Sequence, residues 1–156
     1  MATEIERKFL VNELPDVESL DGQPMIQGYL RADAGGSVRV RITGDGAHLN
    51  IKGPGDGASR TEFEYAIPAA DARVMLDTLC VGAPVEKVRY RIDHAGYIWE
   101  LDVFSGANDG LVLAEVEMTS IDDTPEVPGW VGREVTGEAP YYNASLALQP
   151  FTEWAD

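Results

Sequence analysis

Polar and apolar residues alternate with a period of two in short runs along most of this 156-residue chain. Successive side chains of a β-strand point to opposite faces, so the alternation predicts strands with one polar and one apolar face. Eight such runs are found: Glu4–Val11, Gln27–Ala32, Ser37–Thr43, Ala47–Gly53, Arg60–Ile67, Val85–Asp93, Tyr97–Ser105 and Leu111–Ser120. Eight antiparallel strands are enough to close a small barrel, and we therefore predict a closed eight-stranded β-barrel.

Glycine-rich clusters separate these runs and predict tight hairpins, because glycine tolerates the positive φ that short turns need. The clusters are Gly35-Gly36, Gly44-Asp45-Gly46, Gly53-Pro54-Gly55-Asp56-Gly57 and His94-Ala95-Gly96. Most strands that are neighbours in the sequence should therefore also be neighbours in space.

Two segments lack the alternation and predict helices. Pro68 suits a first helical turn, and an apolar stripe follows it before Gly82, formed by Val74, Met75, Leu76, Leu79 and Cys80. A shorter helix is expected over Asn143–Leu148, and Cys80, the single cysteine, is expected to be buried packing in the first helix. The predicted class is mainly β (α+β): a closed barrel with a few flanking helices, in one domain over residues 1–156.

The polar faces of the predicted strands are rich in charge, and like charges stand together. Arg39 and Arg41 share one face, as do Glu115 and Glu117. Seven of the twelve lysine and arginine residues fall on such stripes: Lys8, Arg39, Arg41, Lys52, Lys87, Arg89 and Arg91. This concentration favours a face built around a ligand.

The ordinary explanation is that these are the solvent faces of amphipathic strands. Two features oppose it. The opposite faces carry Trp99, Phe63, Tyr65 and Tyr90, which need cover from helices or loops. In addition, adjacent like charges repel by about 4 kcal/mol at an effective dielectric near 20. A polyphosphate would relieve the cations, and a divalent metal would relieve the carboxylates.

Net charge narrows the choice of partner. The formal net charge of −15 repels nucleic acids and anionic membranes, which bind clustered basic surfaces, so we expect neither as a partner. The first residues are charged and lead into Phe9-Leu10-Val11 with no apolar stretch long enough for a signal peptide or a membrane span. The cytoplasm is the expected compartment, and the sequence does not indicate an oligomeric state.

A series of motifs resembles the CYTH superfamily, also called triphosphate tunnel metalloenzymes, over nearly the whole chain. The series begins with Glu4-Ile5-Glu6-Arg7-Lys8, which is similar to the Glu-x-Glu-x-Lys motif at the start of that family. It continues, in family order, with Gln27-Gly28-Tyr29-Leu30, Val38-Arg39-Val40-Arg41, Ile51-Lys52-Gly53, Glu62-Phe63-Glu64, Glu86-Lys87-Val88-Arg89-Tyr90, Trp99-Glu100-Leu101-Asp102-Val103-Phe104 and Ala114-Glu115-Val116-Glu117.

The resemblance implies an eight-stranded antiparallel tunnel with a charged interior. It also implies a divalent-metal-dependent triphosphatase of the short bacterial type, which hydrolyses inorganic tripolyphosphate to diphosphate and phosphate. Thiamine triphosphatase, nucleoside triphosphatase and class IV adenylate cyclase are the enzymatic alternatives. A noncatalytic polyphosphate or nucleotide sensor and a purely structural barrel are alternatives of other classes.

The resemblance implies a role for each charged stripe. Mg²⁺ or Mn²⁺ prefers oxygen ligands, and the expected ligands are Glu4, Glu6, Asp102, Glu115 and Glu117. Glu100 is left open between a metal ligand and a partner for an interior cation. The expected triphosphate-binding residues are Lys8, Arg39, Arg41, Lys52, Lys87 and Arg89.

Other roles follow from the same comparison. Glu62 and Glu64 are expected to orient these cations, and Tyr29 either reaches the phosphates or packs. Glu6 is expected to orient the attacking water, and Lys8 or Lys87 to stabilise the departing oxygen.

The C-terminal segment departs from the family pattern. The run Gly132–Asn143 resembles a family segment that usually supplies a lysine or arginine where this chain has Ala139 and Pro140. Loss of that cation would weaken substrate binding, shift specificity or leave a site that binds without turnover. Arg91 and Arg133 are the candidates for replacing it.

Overall fold

The structure is a computed structural model that describes residues 2–54 and 59–154, with side chains from Ile5 onward. Its strands are β1 (Ala2–Val11), β2 (Gln23–Asp33), β3 (Gly36–Thr43), β4 (Gly46–Lys52), β5 (Ser59–Ile67), β6 (Val81–His94), β7 (Tyr97–Ser105), β8 (Val112–Glu117) and β9 (Val131–Glu134). Its α-helices are α1 (Ala69–Thr78) and α2 (Asn143–Leu148). No helix in the described ranges is long and apolar enough to cross a lipid bilayer.

Strands β1 to β8 form a closed antiparallel barrel, in the order β1-β5-β4-β3-β2-β6-β7-β8 and back to β1. The first half of β1 pairs with β5, where Glu4 lies opposite Arg60. Further along β1, Lys8 lies opposite Glu115 of β8. Strand β9 pairs with the last part of β1, where Phe9 lies opposite Glu134. The prediction of a closed eight-stranded barrel is confirmed, and β9 is an additional strand.

Several element boundaries differ from the prediction. Strands β2 and β6 begin at Gln23 and Val81, earlier than the alternation indicates, and the added residues extend the β2–β6 pairing, with Gln23 opposite Arg89 and Val81 opposite Tyr29. Strand β8 ends at Glu117 rather than near Ser120. The four residues of β9 are too few to show a periodic pattern, so sequence reasoning missed this strand.

Helix α1 packs on the outside of the barrel over Val40 and Ala47, with Ala72 fully buried at the contact. The helix ends at Thr78, so Cys80 follows it and is only half-buried, contrary to the prediction. Gly82 lies in β6, where its φ of +71° and lack of Cβ let the backbone approach the carbonyl oxygen of Ala147.

Helix α2 fills part of one end of the barrel from the inside. Leu146 is fully buried against Tyr29 of β2, Val85 of β6, Phe104 of β7 and Leu113 of β8. Val85, Phe104 and Leu113 have the same strand parity as the interior charges farther along their own strands. The interior is therefore apolar at the α2 end on this side and charged beyond it.

The apolar outer faces are covered unevenly. Trp99 is fully buried and packs against Phe9 and Trp130, as the need for cover predicted. Phe63 and Tyr65 are 39% and 56% exposed, so the expectation that they are covered is wrong. Helix α1 is only ten residues long, and it packs over β3 and β4 instead of covering these two rings.

Candidate functional site in the barrel interior

Two adjoining cavities of about 330 and 360 Å³ lie inside the barrel and share Glu6, Arg39, Lys52 and Asn143 in their walls. Strand parity explains why charged side chains face them. The outward-facing Val40 is fully buried beneath α1, which leaves the neighbouring Arg39 and Arg41 pointing inward.

The cavity beside the start of α2, here called the α2 cavity, has a basic wall. Four cations face it against two carboxylates: Lys8, Arg39, Lys52 and Arg60 against Glu6 and Asp33. Tyr29 and Tyr142 complete much of the remaining wall. Its volume lies in the range of small-molecule sites.

The second cavity, here called the acidic cavity, occupies the other end of the interior. Five cations face it, namely Arg39, Arg41, Lys52, Arg89 and Arg91. Seven carboxylates face it, namely Glu6, Asp45, Glu62, Glu64, Glu100, Glu115 and Glu117. The sign of the wall charge therefore changes along the tunnel.

Arg39 and Arg41 converge on Arg89, which itself pairs with Glu100, Asp102 and Glu115. Burial, together with the neighbouring charges of Arg39 and Arg89, lowers the pKa of Arg41 to about 10. The Nε of Arg39 is buried and has no hydrogen-bond partner among the described residues. An anion between these groups would relieve the repulsion, and phosphate oxygens match guanidinium donors.

Lys87, Asp102 and Arg89 form a buried ionic network beside the cavities. Asp102 accepts hydrogen bonds from Lys87 Nζ at 2.8 Å and from Arg89 Nε and Nη2 at 2.7 and 2.9 Å. Burial lowers the pKa of Lys87 to about 8 against the opposing effect of Asp102. Burial alone would raise the pKa of Asp102, but Lys87 and Arg89 hold it below its ordinary value. Both oxygens of Asp102 are thus occupied by cations.

Glu6, Glu115 and Glu117 meet where β1 pairs with β8. Glu6 lies directly opposite Glu117, and the carboxyl groups of Glu6 and Glu115 are within hydrogen-bonding reach. Burial would raise the pKa of Glu115, but Lys8, Arg89 and Lys87 hold it well below its ordinary value. Two carboxyl groups this close need either a shared proton or a compensating cation.

Lys8 lies beside this group, with its Nζ 3.5 Å from Glu115 Oε1. Among the side chains that the structure describes, no three carboxylate, histidine or cysteine groups are close enough to hold a metal ion by themselves. The side chain of Glu4, a predicted metal ligand, lies outside the described residues.

Comparison with known proteins decides the family. The CYTH domain model matches residues 2–147, which is most of the chain. The chain belongs to the CYTH domain family. An inorganic triphosphatase of Acetivibrio thermocellus is 40% identical over 156 residues, with both chains covered completely. An inorganic triphosphatase of Nitrosomonas europaea is 41% identical over 150 residues, covering 94% of this chain and 97% of the relative.

Solved structures agree with this CYTH assignment. A crystal structure of an inorganic triphosphatase is similar with a TM-score of 0.68 and 38% identity, covering 94% of this chain and 98% of that one. A conserved hypothetical protein from Pyrococcus furiosus shares the fold with a TM-score of 0.59 at 18% identity, covering 76% of this chain and 80% of that one.

The structure brings most of the predicted CYTH site residues together. Lys8, Arg39, Arg41, Lys52, Arg89, Tyr29, Glu6, Glu62, Glu64, Glu115 and Glu117 line one or both cavities. Lys87 and Asp102 are instead in the buried network, with side chains 1% exposed, and are not among the residues that line these two cavities.

Glu62 and Glu64 lie beside cations, in keeping with an orienting role. Glu62 is 3.6 Å from Lys52 Nζ, and Glu64 is 3.6 Å from Arg41 Nη2. Tyr29 packs against Leu146 and also lines the α2 cavity, and a contact between its hydroxyl and the phosphates stays a prediction.

Neither candidate for the missing C-terminal cation reaches the α2 cavity. Arg133 donates to Glu138 at 2.7 Å with its side chain 58% exposed. Arg91 lines the acidic cavity with its side chain 69% exposed, and its Nε lies 3.6 Å from Glu100.

Sequence reasoning missed Arg60, Tyr142 and Asn143 as wall residues. Arg60 shares the parity of Glu62 on β5, so the strand pattern contained the signal. Tyr142 and Asn143 reach the cavity from the start of α2, and no local pattern indicates where that helix packs.

Proposed function

We propose that this protein hydrolyses inorganic tripolyphosphate to diphosphate and phosphate with the help of a divalent metal ion. The observation that carries the proposal is the convergence of Arg39 and Arg41 on Arg89 inside the barrel of a chain of net charge −15, where the Nε of Arg39 has no hydrogen-bond partner among the described residues. The two CYTH relatives named inorganic triphosphatase support the choice of a triphosphate without an organic group. A cytoplasmic location stays a prediction.

In this proposal, the tunnel cations bind the phosphate chain. Arg39 and Arg41 offer guanidinium donors to phosphate oxygens, and Lys8 and Lys52 act as compact charges near the α2 cavity. Glu62 and Glu64 hold Lys52 and Arg41 in place between substrates.

Glu6, Glu115 and Glu117 would supply part of the ligand set for Mg²⁺ or Mn²⁺, which phosphate oxygens and water would complete. Their carboxylate oxygens suit these hard cations, and a compensating cation would stabilise the close approach of Glu6 and Glu115. When bound, such an ion would neutralise phosphate oxygens and lower the pKa of bound water. Glu4 belongs to the same proposal through its place in β1, and Asp102 stays a predicted ligand although Lys87 and Arg89 occupy its oxygens.

The reaction requires water to attack the terminal phosphorus as the bond to the bridging oxygen breaks. Glu6 borders both cavities and is placed to orient the water and accept its proton. Lys8, which lines the α2 cavity, is placed to stabilise the negative charge on the departing diphosphate. Lys87 stays a predicted second stabiliser of that charge. Its ammonium group donates a hydrogen bond to Asp102 in this structure.

The test is phosphate release from tripolyphosphate, ATP and thiamine triphosphate, each with Mg²⁺, with Mn²⁺ and with EDTA. We expect release that EDTA abolishes and that is fastest from tripolyphosphate. Faster release from one of the other two would assign a different triphosphatase activity, and conversion of ATP to cyclic AMP would assign a cyclase. Tight binding with no release would assign the noncatalytic sensor.

Two variants test whether the tunnel is the site. Arg41→Gln and Glu117→Gln should each lower kcat/KM by about a hundredfold, since each removes a charged group from the phosphate or metal environment. Glu126→Gln is the matched control, because Glu126 pairs with His94 and its side chain is 70% exposed. Unchanged turnover in both tunnel variants would contradict the proposed site.

A further inference from the structure

A cation that the motif comparison did not assign lies at the rim of the tunnel. Arg60 is near the start of β5, and its side chain lines the α2 cavity together with Lys8, Arg39 and Lys52. These residues come from four neighbouring strands of the barrel, in the order β1, β5, β4 and β3, so the cations form one basic wall of the cavity.

Arg60 is held by an aromatic ring. Its guanidinium carbon lies 5.2 Å from the centroid of the Tyr142 ring. The Nζ of Lys8 lies 5.9 Å from the same centroid and donates a hydrogen bond to the carbonyl oxygen of Tyr141 at 3.0 Å. One ring therefore places two cations at the same cavity, each within cation–π distance.

We propose that Arg60 is a further triphosphate-binding residue, which contacts the phosphate in the α2 cavity, and that Tyr142 positions its guanidinium. A guanidinium presents paired N–H donors that match two oxygens of one phosphate. The face of Tyr142 restricts the orientation of that fork and reduces the entropy lost on binding. Arg60 lines the α2 cavity and is not among the residues that line the acidic cavity with Glu115 and Glu117, so the phosphate that it contacts is the one in the α2 cavity.

The competing explanation is structural: Arg60 only anchors the start of α2 by packing on Tyr142. A cation–π contact contributes about 1 kcal/mol, so this explanation predicts a small loss of stability and no effect on substrate. The two explanations therefore differ in the kinetic constants.

The inference rests on the proposed triphosphatase activity, and steady-state kinetics test it. Arg60→Gln should raise KM for tripolyphosphate about tenfold or more with kcat changed less than threefold, as expected for loss of a charge-assisted contact. Arg60→Lys should give an intermediate KM, because lysine keeps the positive charge but lacks the paired N–H donors of the guanidinium. Arg133→Gln removes the same charge from an exposed ion pair outside the cavity and should leave both constants unchanged.

Tyr142 is tested through its effect on Arg60. Tyr142→Phe keeps the ring and should behave as the wild type, whereas Tyr142→Leu should raise KM severalfold. In the double variant Arg60→Gln/Tyr142→Leu, KM should rise by less than the product of the two single effects, because part of the effect of Tyr142 passes through Arg60. A wild-type KM in Arg60→Gln, or additive effects in the double variant, would overturn the proposal.

Direct binding separates this inference from the proposed function. Calorimetric titration of tripolyphosphate into wild type and Arg60→Gln in EDTA should show a Kd about tenfold higher in the variant. If the wild type binds tripolyphosphate in EDTA but releases no phosphate with Mg²⁺ or Mn²⁺, the triphosphatase proposal fails. The comparison of Kd values then still tests Arg60. Equal Kd values would reject Arg60 as a ligand whatever the catalytic result.

Discussion

At the scale of single residues, the barrel interior is notable for charges that are buried with specific partners. Asp102 has a side chain only 1% exposed and is contacted by both Lys87 and Arg89. Removing one member of such a network leaves the others buried without compensation, which costs more than the network contributes when complete. Asp102 therefore matters first for stability, and through Arg89 for the charge of the tunnel.

We expect Asp102→Asn to lower the free energy of unfolding by about 3–5 kcal/mol, because two buried cations lose their counter-charge. Urea denaturation at pH 7 measures it. Asp33→Asn is the control, since the Arg31–Asp33 pair is largely exposed and should contribute little to the free energy of unfolding. Similar losses in the two variants would contradict the network.

The Asp102 carboxylate should also make the stability of the fold depend on pH in a defined direction. Lys87 and Arg89 hold the folded-state pKa of Asp102 below its ordinary value of 3.8, so its contribution is complete above that value and is lost as pH falls below it. Asp102→Asn should therefore show a shallower loss of stability on acidification than the wild type. Parallel plots of the free energy of unfolding against pH below about pH 4 would show that ionisation of Asp102 does not stabilise the fold.

At the scale of elements, the short helix α2 helps to form the cavity although it has only six residues. Such a helix is not stable alone and depends on its packing. Leu146 provides that packing inside the barrel, while Tyr142 and Asn143 at the start of the helix reach the cavity wall. The geometry of the α2 cavity therefore depends on an apolar contact at the end of the barrel.

We expect Leu146→Ala to destabilise the protein by about 2–5 kcal/mol, because it leaves a cavity among Tyr29, Val85 and Phe104. Leu148→Ala in the same helix is the control, since Leu148 is 53% exposed and its loss should cost under about 0.5 kcal/mol. Thermal and urea unfolding measure both. Equal effects would mean that α2 does not depend on its inserted leucine.

Strand pattern predicted the barrel and most of its inward charges, because a period of two is a local property of the sequence. Arg39 and Arg41, for example, could be assigned to one face without knowledge of their neighbours. The pattern did not predict that Asp102 is saturated by Lys87 and Arg89, because that depends on the register of β6 against β7. It also did not predict Tyr142 in the wall, which depends on where α2 packs.

At the scale of the whole molecule, the interior charge makes ligand binding and folding interdependent. Burial is the main cause of the lowered pKa of Arg41, and repulsion from Arg39 and Arg89 in the free protein lowers it further. A bound polyanion would replace that repulsion with attraction and would stabilise the folded state over the unfolded chain.

We expect tripolyphosphate in EDTA, at about a hundredfold excess over its Kd, to raise the unfolding midpoint by about 5 °C or more. Differential scanning fluorimetry measures this. Sulfate at matched ionic strength is the control and should give a smaller shift, because it spans fewer of the cations. Equal shifts with the two anions would argue against a site shaped for a phosphate chain.

The change in wall charge from the α2 cavity to the acidic cavity also gives the tunnel a direction. A linear polyanion is attracted at the basic mouth beside Arg60 and repelled at the opposite, carboxylate-rich mouth. This asymmetry of charge favours entry of phosphate chains from the α2 cavity side of the barrel. A chain longer than the tunnel would enter with one end leading, so its inner end is presented first to Glu115 and Glu117 and the remainder trails outside.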